Sequence, residues 1–306
     1  MKHIYDVIII GGGPGGYSAA LYASRAGLDT LVIEKFSVGG QMTLTDVIDN
    51  YPGFEEGTDG ISLGFKMQQS AERFGAKTEY DEVVGVSLAG EIKTVTSVSA
   101  EYKSKTVIIA TGANPRELGI EKETELVGRG VHYCAHCDGR FYKDKTVVVV
   151  GGGNSAVEDA LYLSRLAKKV WLVHRRDELR ATKIYRDSLL KADNVEIIWN
   201  SRVTQLRSDK RLNGVQVENI LNAEITDIVC DGVFVSIGRK PASELFKGQV
   251  EIDENGYIIA DESGKTNVEG VFAVGDVRTK ALRQVVTAVS DGATAAHFAE
   301  EYIIRN

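Results

Sequence analysis

Val7-Ile8-Ile9-Ile10-Gly11-Gly12-Gly13-Pro14-Gly15-Gly16 runs from branched apolar residues straight into a glycine-rich loop. The same construction returns 140 residues later, from 11 to 151, as Val147-Val148-Val149-Val150-Gly151-Gly152-Gly153-Asn154-Ser155-Ala156. The register holds beyond the loops, where Ala20-Leu21-Tyr22-Ala23-Ser24-Arg25 aligns without a gap on Ala160-Leu161-Tyr162-Leu163-Ser164-Arg165. An unbroken apolar run is the pattern of a parallel strand covered on both faces. Each loop is followed by a helical pattern and a second apolar run, Leu31-Val32-Ile33 or Val170-Trp171-Leu172-Val173. The fold class expected is therefore α/β, with two Rossmann-like dinucleotide-binding domains. Glycines in such a loop let the backbone approach a pyrophosphate, which then rests on the N-terminus of the following helix.

The second strand of each repeat ends differently. The first reaches Glu34, where a carboxylate can accept hydrogen bonds from an adenosine ribose, so FAD or NAD is expected there. The equivalent place in the second repeat is His174-Arg175-Arg176, with Arg180 close behind. Guanidinium forks match the oxygens of a 2′-phosphate, which points to NADPH. Near the C-terminus, Gly270-Val271-Phe272-Ala273-Val274-Gly275-Asp276 precedes Arg283-Gln284 and a small-residue helix expected from Val285 to Ala296. A strand ending in Gly-Asp beside the first loop completes a flavin domain. That domain is then discontinuous, spanning residues 1–113 and 242–306, with the NADPH domain inserted at 114–241. The crossings coincide with the turn-rich segments Thr111-Gly112-Ala113-Asn114-Pro115 and Gly238-Arg239-Lys240-Pro241.

A net charge of −7 over 306 residues argues against nucleic acid as a partner. The apolar run at 7–10 is too short for a membrane span. Three cysteines are present. Cys134-Ala135-His136-Cys137 forms C-x-x-C, and Cys230 stands alone in a strand-like stretch, as a buried small hydrophobe. Zinc would need four ligands, and His132, Cys134, His136 and Cys137 are too crowded for a tetrahedron. A redox pair in a reducing cytoplasm is the expectation. Asp138 follows directly and is placed to move a proton as the dithiol forms, with helix N-capping as its structural role. Two dinucleotide sites and one dithiol make a relay in which NADPH donates a hydride, FAD splits it and the disulfide receives the electrons.

Gly11 to Tyr17, Gly39-Gly40-Gln41, Asn50-Tyr51-Pro52-Gly53, Ala110-Thr111-Gly112-Ala113, Cys134 to Asp138, Gly151 to Ala156, His174-Arg175-Arg176 with Arg180, and Gly275-Asp276 through Arg283-Gln284 together resemble low-molecular-weight thioredoxin reductase. The resemblance runs almost end to end. It implies FAD, NADPH, a homodimer and thioredoxin as substrate, with Gly39, Gly40, Gln41, Asn50, Thr111 and Gly112 lining the flavin. Lys35, Val83 and Val285 complete the expected FAD set, and Ile237 and Gly238 the NADPH set. One departure is His136, where the family usually has threonine. It is expected to favour a neighbouring thiolate and make the pair a slightly stronger oxidant. A glutaredoxin-like or peroxidase-linked acceptor is the alternative substrate class. A non-catalytic NADPH-sensing flavoprotein is a further alternative.

Overall fold

The computed structural model of the chain describes residues 3–44 and 47–306. Two compact units emerge, Met1–Asn114 with Lys240–Asn306, and Pro115–Arg239. The sequence-based cut points, 113/114 and 241/242, lie one and two residues from these limits.

The first unit opens with the first βαβ repeat: β1 (Ile4–Ile10), α1 (Pro14–Arg25) and β2 (Thr30–Glu34), the strands parallel. Next, α2 (Gly60–Glu72) leads to β3 (Lys77–Tyr80), which is parallel to β2. The antiparallel pair β4 (Val83–Ser87) and β5 (Lys93–Ser97) feeds β6 (Glu101–Ile109), which lies parallel to β1. β7 (Ala113–Pro115) is the outgoing crossing.

The second unit holds β8 (Val131–His132), the short helix α3 (Ala135–Asp138), β9 (Thr146–Val150), α4 (Asn154–Ser164), β10 (Lys169–Val173), α5 (Lys183–Leu189) and β11 (Val195–Ile198). An antiparallel sheet follows, made of β12 (Ser201–Ser208), β13 (Leu212–Asn219) and β14 (Ile225–Val229). β15 (Gly232–Val235) then inserts between β9 and β8, giving the parallel order β11-β10-β9-β15-β8. The return crossing, β16 (Arg239–Pro241), pairs with β7. In the first unit again, β17 (Val271–Ala273) adds to β6 in parallel, and α6 (Val285–Arg305) ends the chain.

Both apolar runs are explained by the period of two along a strand. Val7 and Ile9 pack with residues of α1 and α6, whereas Ile8 and Ile10 pack on the other face with Leu31, Val95 and Phe246. Val147 and Val149 face α4, while Val148 and Val150 meet Val203, Val215 and Val217 of the antiparallel sheet. Neither strand has a wet face, so neither alternates. Each such buried side chain is worth about 1.5–3 kcal/mol.

One expected boundary needs correction. The C-terminal helix does not stop at Ala296 but continues to Arg305, because the buried face of Ala288, Gly292, Ala295, Ala296 and Ala299 extends past it. A Cβ on Gly292 would lie 2.1 Å from the Gly15 carbonyl oxygen, so α6 and α1 touch through bare backbone. Among the described residues no helix is long and apolar enough to cross a membrane.

Candidate active site

In the first unit the expected flavin residues converge on the C-terminal ends of β1 and β2. Gly11 takes φ +107°, a left-handed conformation open to glycine, and its N–H donates to the Ile33 carbonyl. Glu34 accepts from the Gly12 N–H at 2.6 Å and from the Phe36 N–H at 3.0 Å. The Gly39 N–H donates to the Gly12 carbonyl, and Gly40 lies against Gly13. Gln41 reaches Asn114, and Asn50 donates to Gln284 at 2.9 Å. Lys35 pairs with Glu82, the neighbour of Val83, at the outer end of β2. Thr111 bonds the Ala242 carbonyl beside Gly112. Gly275 lies against Gly15, and Asp276 and Val285 belong to the same return segment. Arg283 donates to the Asp276 and Arg278 carbonyls and lies 4.0 Å over the Tyr257 ring.

The second unit repeats this arrangement. Gly151 takes φ +151° and donates to the Val173 carbonyl, and Ser236, just past β15 and followed by Ile237 and Gly238, lies against it. The Arg180 N–H donates to the Gly152 carbonyl at 2.7 Å, and Asn154 accepts from the Thr182 N–H. The 175–182 segment is thereby fastened onto the glycine loop. Arg175, Arg176 and Arg180 are exposed. His174 differs from them: its ring is buried under Gly152, bonded to the Glu178 carbonyl, and burial lowers its proton affinity. It shapes the loop instead of standing among the cations.

Two of the four main helices have side-chain caps at their N-termini. Asp59 accepts from Ser62 N–H on α2, and Gln284 with Thr287 forms a reciprocal box on α6. α1 and α4, the helices that follow the glycine loops, start at Gly13 and Gly153 with no side-chain cap and no acid in the first turn. A Cβ built on either glycine meets nothing within 4 Å. Open N–H groups at a positive helix end, with space in front, fit an anionic phosphate.

The same unit carries the dithiol. Cys134 and Cys137 are joined in a disulfide across α3, with Cα atoms 5.3 Å apart. Cys134 is the N-cap of this turn, its sulfur accepting the Cys137 N–H at 3.2 Å. Asp138 stands at the N-cap position of the next helical turn, Gly139–Tyr142, but its side chain makes no capping bond there. Its carboxylate lies 3.0 Å from His132 Nδ1 instead. His136 is half exposed, stacked on Tyr162 at 4.4 Å, with Nδ1 3.8 Å from Asp159. Asp159 also accepts from the Ser236 hydroxyl; burial pushes its carboxyl up, against the pull of Ser236 and His136. Cys230 is buried, and burial pushes its thiol up to about 12.

Residues 5–292 match the family described as "Pyridine nucleotide-disulphide oxidoreductase". The chain belongs to the pyridine nucleotide-disulphide oxidoreductases. It is 47% identical over its whole length to a thioredoxin reductase of Peptoclostridium acidaminophilum, of which it covers 99%. It is 48% identical over 99% of its length to the thioredoxin reductase of Listeria monocytogenes, covering 95% of that protein. The crystal structure of thioredoxin reductase from Streptococcus pyogenes superposes with a TM-score of 0.93 at 43% identity, covering all of both chains. This oxidoreductase is accordingly of the thioredoxin reductase type, an enzyme that uses FAD and NADPH with a redox-active disulfide.

Three features of this pyridine nucleotide-disulphide oxidoreductase are not evident in its motifs. Asp291 on α6 takes hydrogen bonds from the Gly275 N–H, Arg278 and Lys280, all buried. Ser236 and Asp159 tie the β15 loop to α4 and to His136. His132 and Tyr142 back the acid that follows the dithiol. No motif spacing links these residues: Ser236 and Asp159 are 77 positions apart, and the nearer pairs depend on side-chain directions set by packing.

Proposed function

We propose that this enzyme reduces the disulfide of thioredoxin. The observation that carries the proposal is the Cys134–Cys137 disulfide, seated on α3 in the unit that also holds the arginine-flanked glycine loop. End-to-end similarity to thioredoxin reductases names the acceptor.

The uncapped start of α1, with Gly11, Gly13, Pro14, Gly15 and Gly16, is assigned to the FAD pyrophosphate, and Glu34 and Lys35 to its adenosine end. Gly39, Gly40, Gln41, Asn50, Val83, Thr111, Gly112, Gly275, Asp276, Arg283, Gln284 and Val285 complete that assignment. Gly151, Gly153, Asn154, Ser155 and Ala156 at the start of α4 receive the NADPH pyrophosphate. Arg175, Arg176 and Arg180 neutralise the 2′-phosphate, His174 underlies the loop, and Ile237 and Gly238 flank it. When bound, NADPH supplies a hydride and FAD turns it into the electron pair that opens a disulfide.

The chain's own residues handle the sulfur chemistry. Reduced Cys134 and Cys137 provide a thiolate to attack and a second thiol to resolve the mixed disulfide. Asp138 holds or moves the proton of that pair. A dithiol that cycles suits a reducing cytoplasm, which we assign as the compartment. A homodimer accords with the resemblance, and Ile61 and Phe65, one turn apart and exposed on α2, offer it apolar surface.

Steady-state oxidation of NADPH with purified thioredoxin, and separately with glutaredoxin-like acceptors, tests the proposal. Turnover with thioredoxin is expected, and Cys134→Ser or Cys137→Ser abolishes it while leaving FAD bound and reducible. Turnover with only the glutaredoxin-like acceptors would replace the assigned substrate.

A further inference from the structure

The Asp138 carboxylate is the open end of a buried polar chain. Its Oδ2 lies 3.0 Å from His132 Nδ1, and His132 Nε2 lies 2.6 Å from the Tyr142 hydroxyl. The charge of Arg211 also faces Tyr142. His132 is 7% exposed, Asp138 14% and Tyr142 3%. The imidazole is stacked on Phe234 of β15 at 5.2 Å, and Phe234 meets Tyr142 edge-on, so the ring cannot swing. We infer that His132 is a positioning residue for the disulfide exchange, held by Tyr142 so that its Nδ1–H keeps Asp138 oriented and ready to take the proton of the cysteine pair.

The donors and acceptors admit one consistent assignment. Burial is the main cause pushing the Tyr142 phenol up to about 12, so it keeps its proton across the working pH range. An ionised Asp138 carboxylate can only accept, which leaves the phenol to direct its own O–H at His132 Nε2. Nε2 is then an acceptor, the proton of the neutral ring resides on Nδ1, and Nδ1–H donates to the carboxylate. The other charged groups facing this cluster are Asp231, ahead of β15, and Lys145, 5.5 Å from the Tyr142 ring. His132 thus acts on Asp138 as a hydrogen-bond donor.

The exchange it serves is balanced as follows. One sulfur of the reduced pair, as thiolate, attacks the substrate disulfide; a mixed disulfide forms and the far substrate sulfur leaves as thiolate. The second enzyme thiol gives its proton to Asp138 and attacks the mixed disulfide, closing Cys134–Cys137 and releasing the other substrate sulfur. Asp138 returns the proton to one released thiolate, and the electron pair leaves with the substrate. A donor to the carboxylate favours its ionised form, so losing that donor moves the acid side of the profile to higher pH.

This inference rests on the proton role proposed for Asp138, and the experiment separates the two. Holoenzyme is reduced beforehand, and its single-turnover reoxidation by thioredoxin disulfide is followed from pH 5 to 9, roughly the span over which such groups titrate. His132→Ala and Tyr142→Phe are each expected to move the acid limb upward by about one pH unit. His132→Asn, whose amide can donate from the Nδ1 position, is expected to return it towards the parent. Tyr142→Phe keeps the ring packing and carries the test if His132→Ala does not fold. An unmoved limb in Tyr142→Phe and His132→Ala, with Asp138→Asn flattening the profile, overturns the role of His132 and leaves that of Asp138. An unchanged profile in Asp138→Asn overturns both.

Discussion

Arg175 and Arg176 are exposed at the end of β10, on a segment that hydrogen bonds fasten to the glycine loop. Their charge is available to a ligand at that loop. Replacing both with glutamine is expected to raise the KM for NADPH at least about tenfold while leaving NADH nearly unchanged, since only NADPH carries the 2′-phosphate. Parallel steady-state kinetics with the two cofactors check this, and an equal loss on both refutes it. Asp291 is a different kind of residue, structural and buried. Burial pushes its carboxyl up, but hydrogen bonds and charge from Arg278 and Lys280 outweigh that and hold it below the usual range. Its folded value therefore lies below its unfolded one. The stabilisation is complete above the unfolded value, roughly 3.9, and is lost as pH falls through the folded value. Asp291→Asn leaves two buried cations without a counter-charge and is expected to cost about 3–5 kcal/mol at neutral pH. Urea unfolding at pH 7 and at pH 3 checks both parts: the gap between parent and variant should shrink at pH 3, and a constant gap would refute the linkage.

At the scale of the element, α1 and α4 are unusual because both start without a side-chain cap, at glycines that face open space. Gly153 has φ −91° and extended ψ, a conformation any N-cap residue adopts. Gly153→Asp should therefore cap α4 and stabilise the unit by about 0.5–2 kcal/mol. The same carboxylate would occupy the positive end of the helix and repel a pyrophosphate. The NADPH dissociation constant is expected to rise by about tenfold or more, with FAD content unchanged. Calorimetric titration beside a thermal melt checks it. A higher melting temperature with undiminished affinity for NADPH would mean that the pyrophosphate binds elsewhere.

For the whole molecule, the decisive fact is which sites share a unit. The dithiol and the arginine-flanked loop belong to Pro115–Arg239, while the proposed flavin residues belong to Met1–Asn114 with Lys240–Asn306. The nicotinamide and the disulfide must each reach the same flavin, and the dithiol must afterwards meet a protein substrate. Reorientation of the units about the crossings β7 and β16 meets all three needs. A cross-link that locks one orientation is expected to permit one half-reaction and block the other. Stopped-flow measurement of flavin reduction by NADPH, beside thiol release after photoreduction, distinguishes them. Full turnover by a locked enzyme would rule the motion out.

The two βαβ repeats, the glycine loops, the arginines and the C-x-x-C pair were legible in the chain because each is local. A strand buried on both faces demands an unbroken apolar run, a left-handed turn beside a phosphate demands glycine, and a bridge within one helical turn demands cysteines three apart. The insertion of one domain in another followed from the order of those motifs. Sequence alone did not place Asp138, because its partner was settled by where His132 and Tyr142 come to lie around Phe234. Nor did it foresee Asp291 under Gly275, Gly292 against the α1 backbone, or the length of α6. Those contacts join residues far apart in the chain, or neighbours whose side-chain directions depend on packing. Their energies exist only once the strands are ordered and water is excluded, so the tertiary structure decided them.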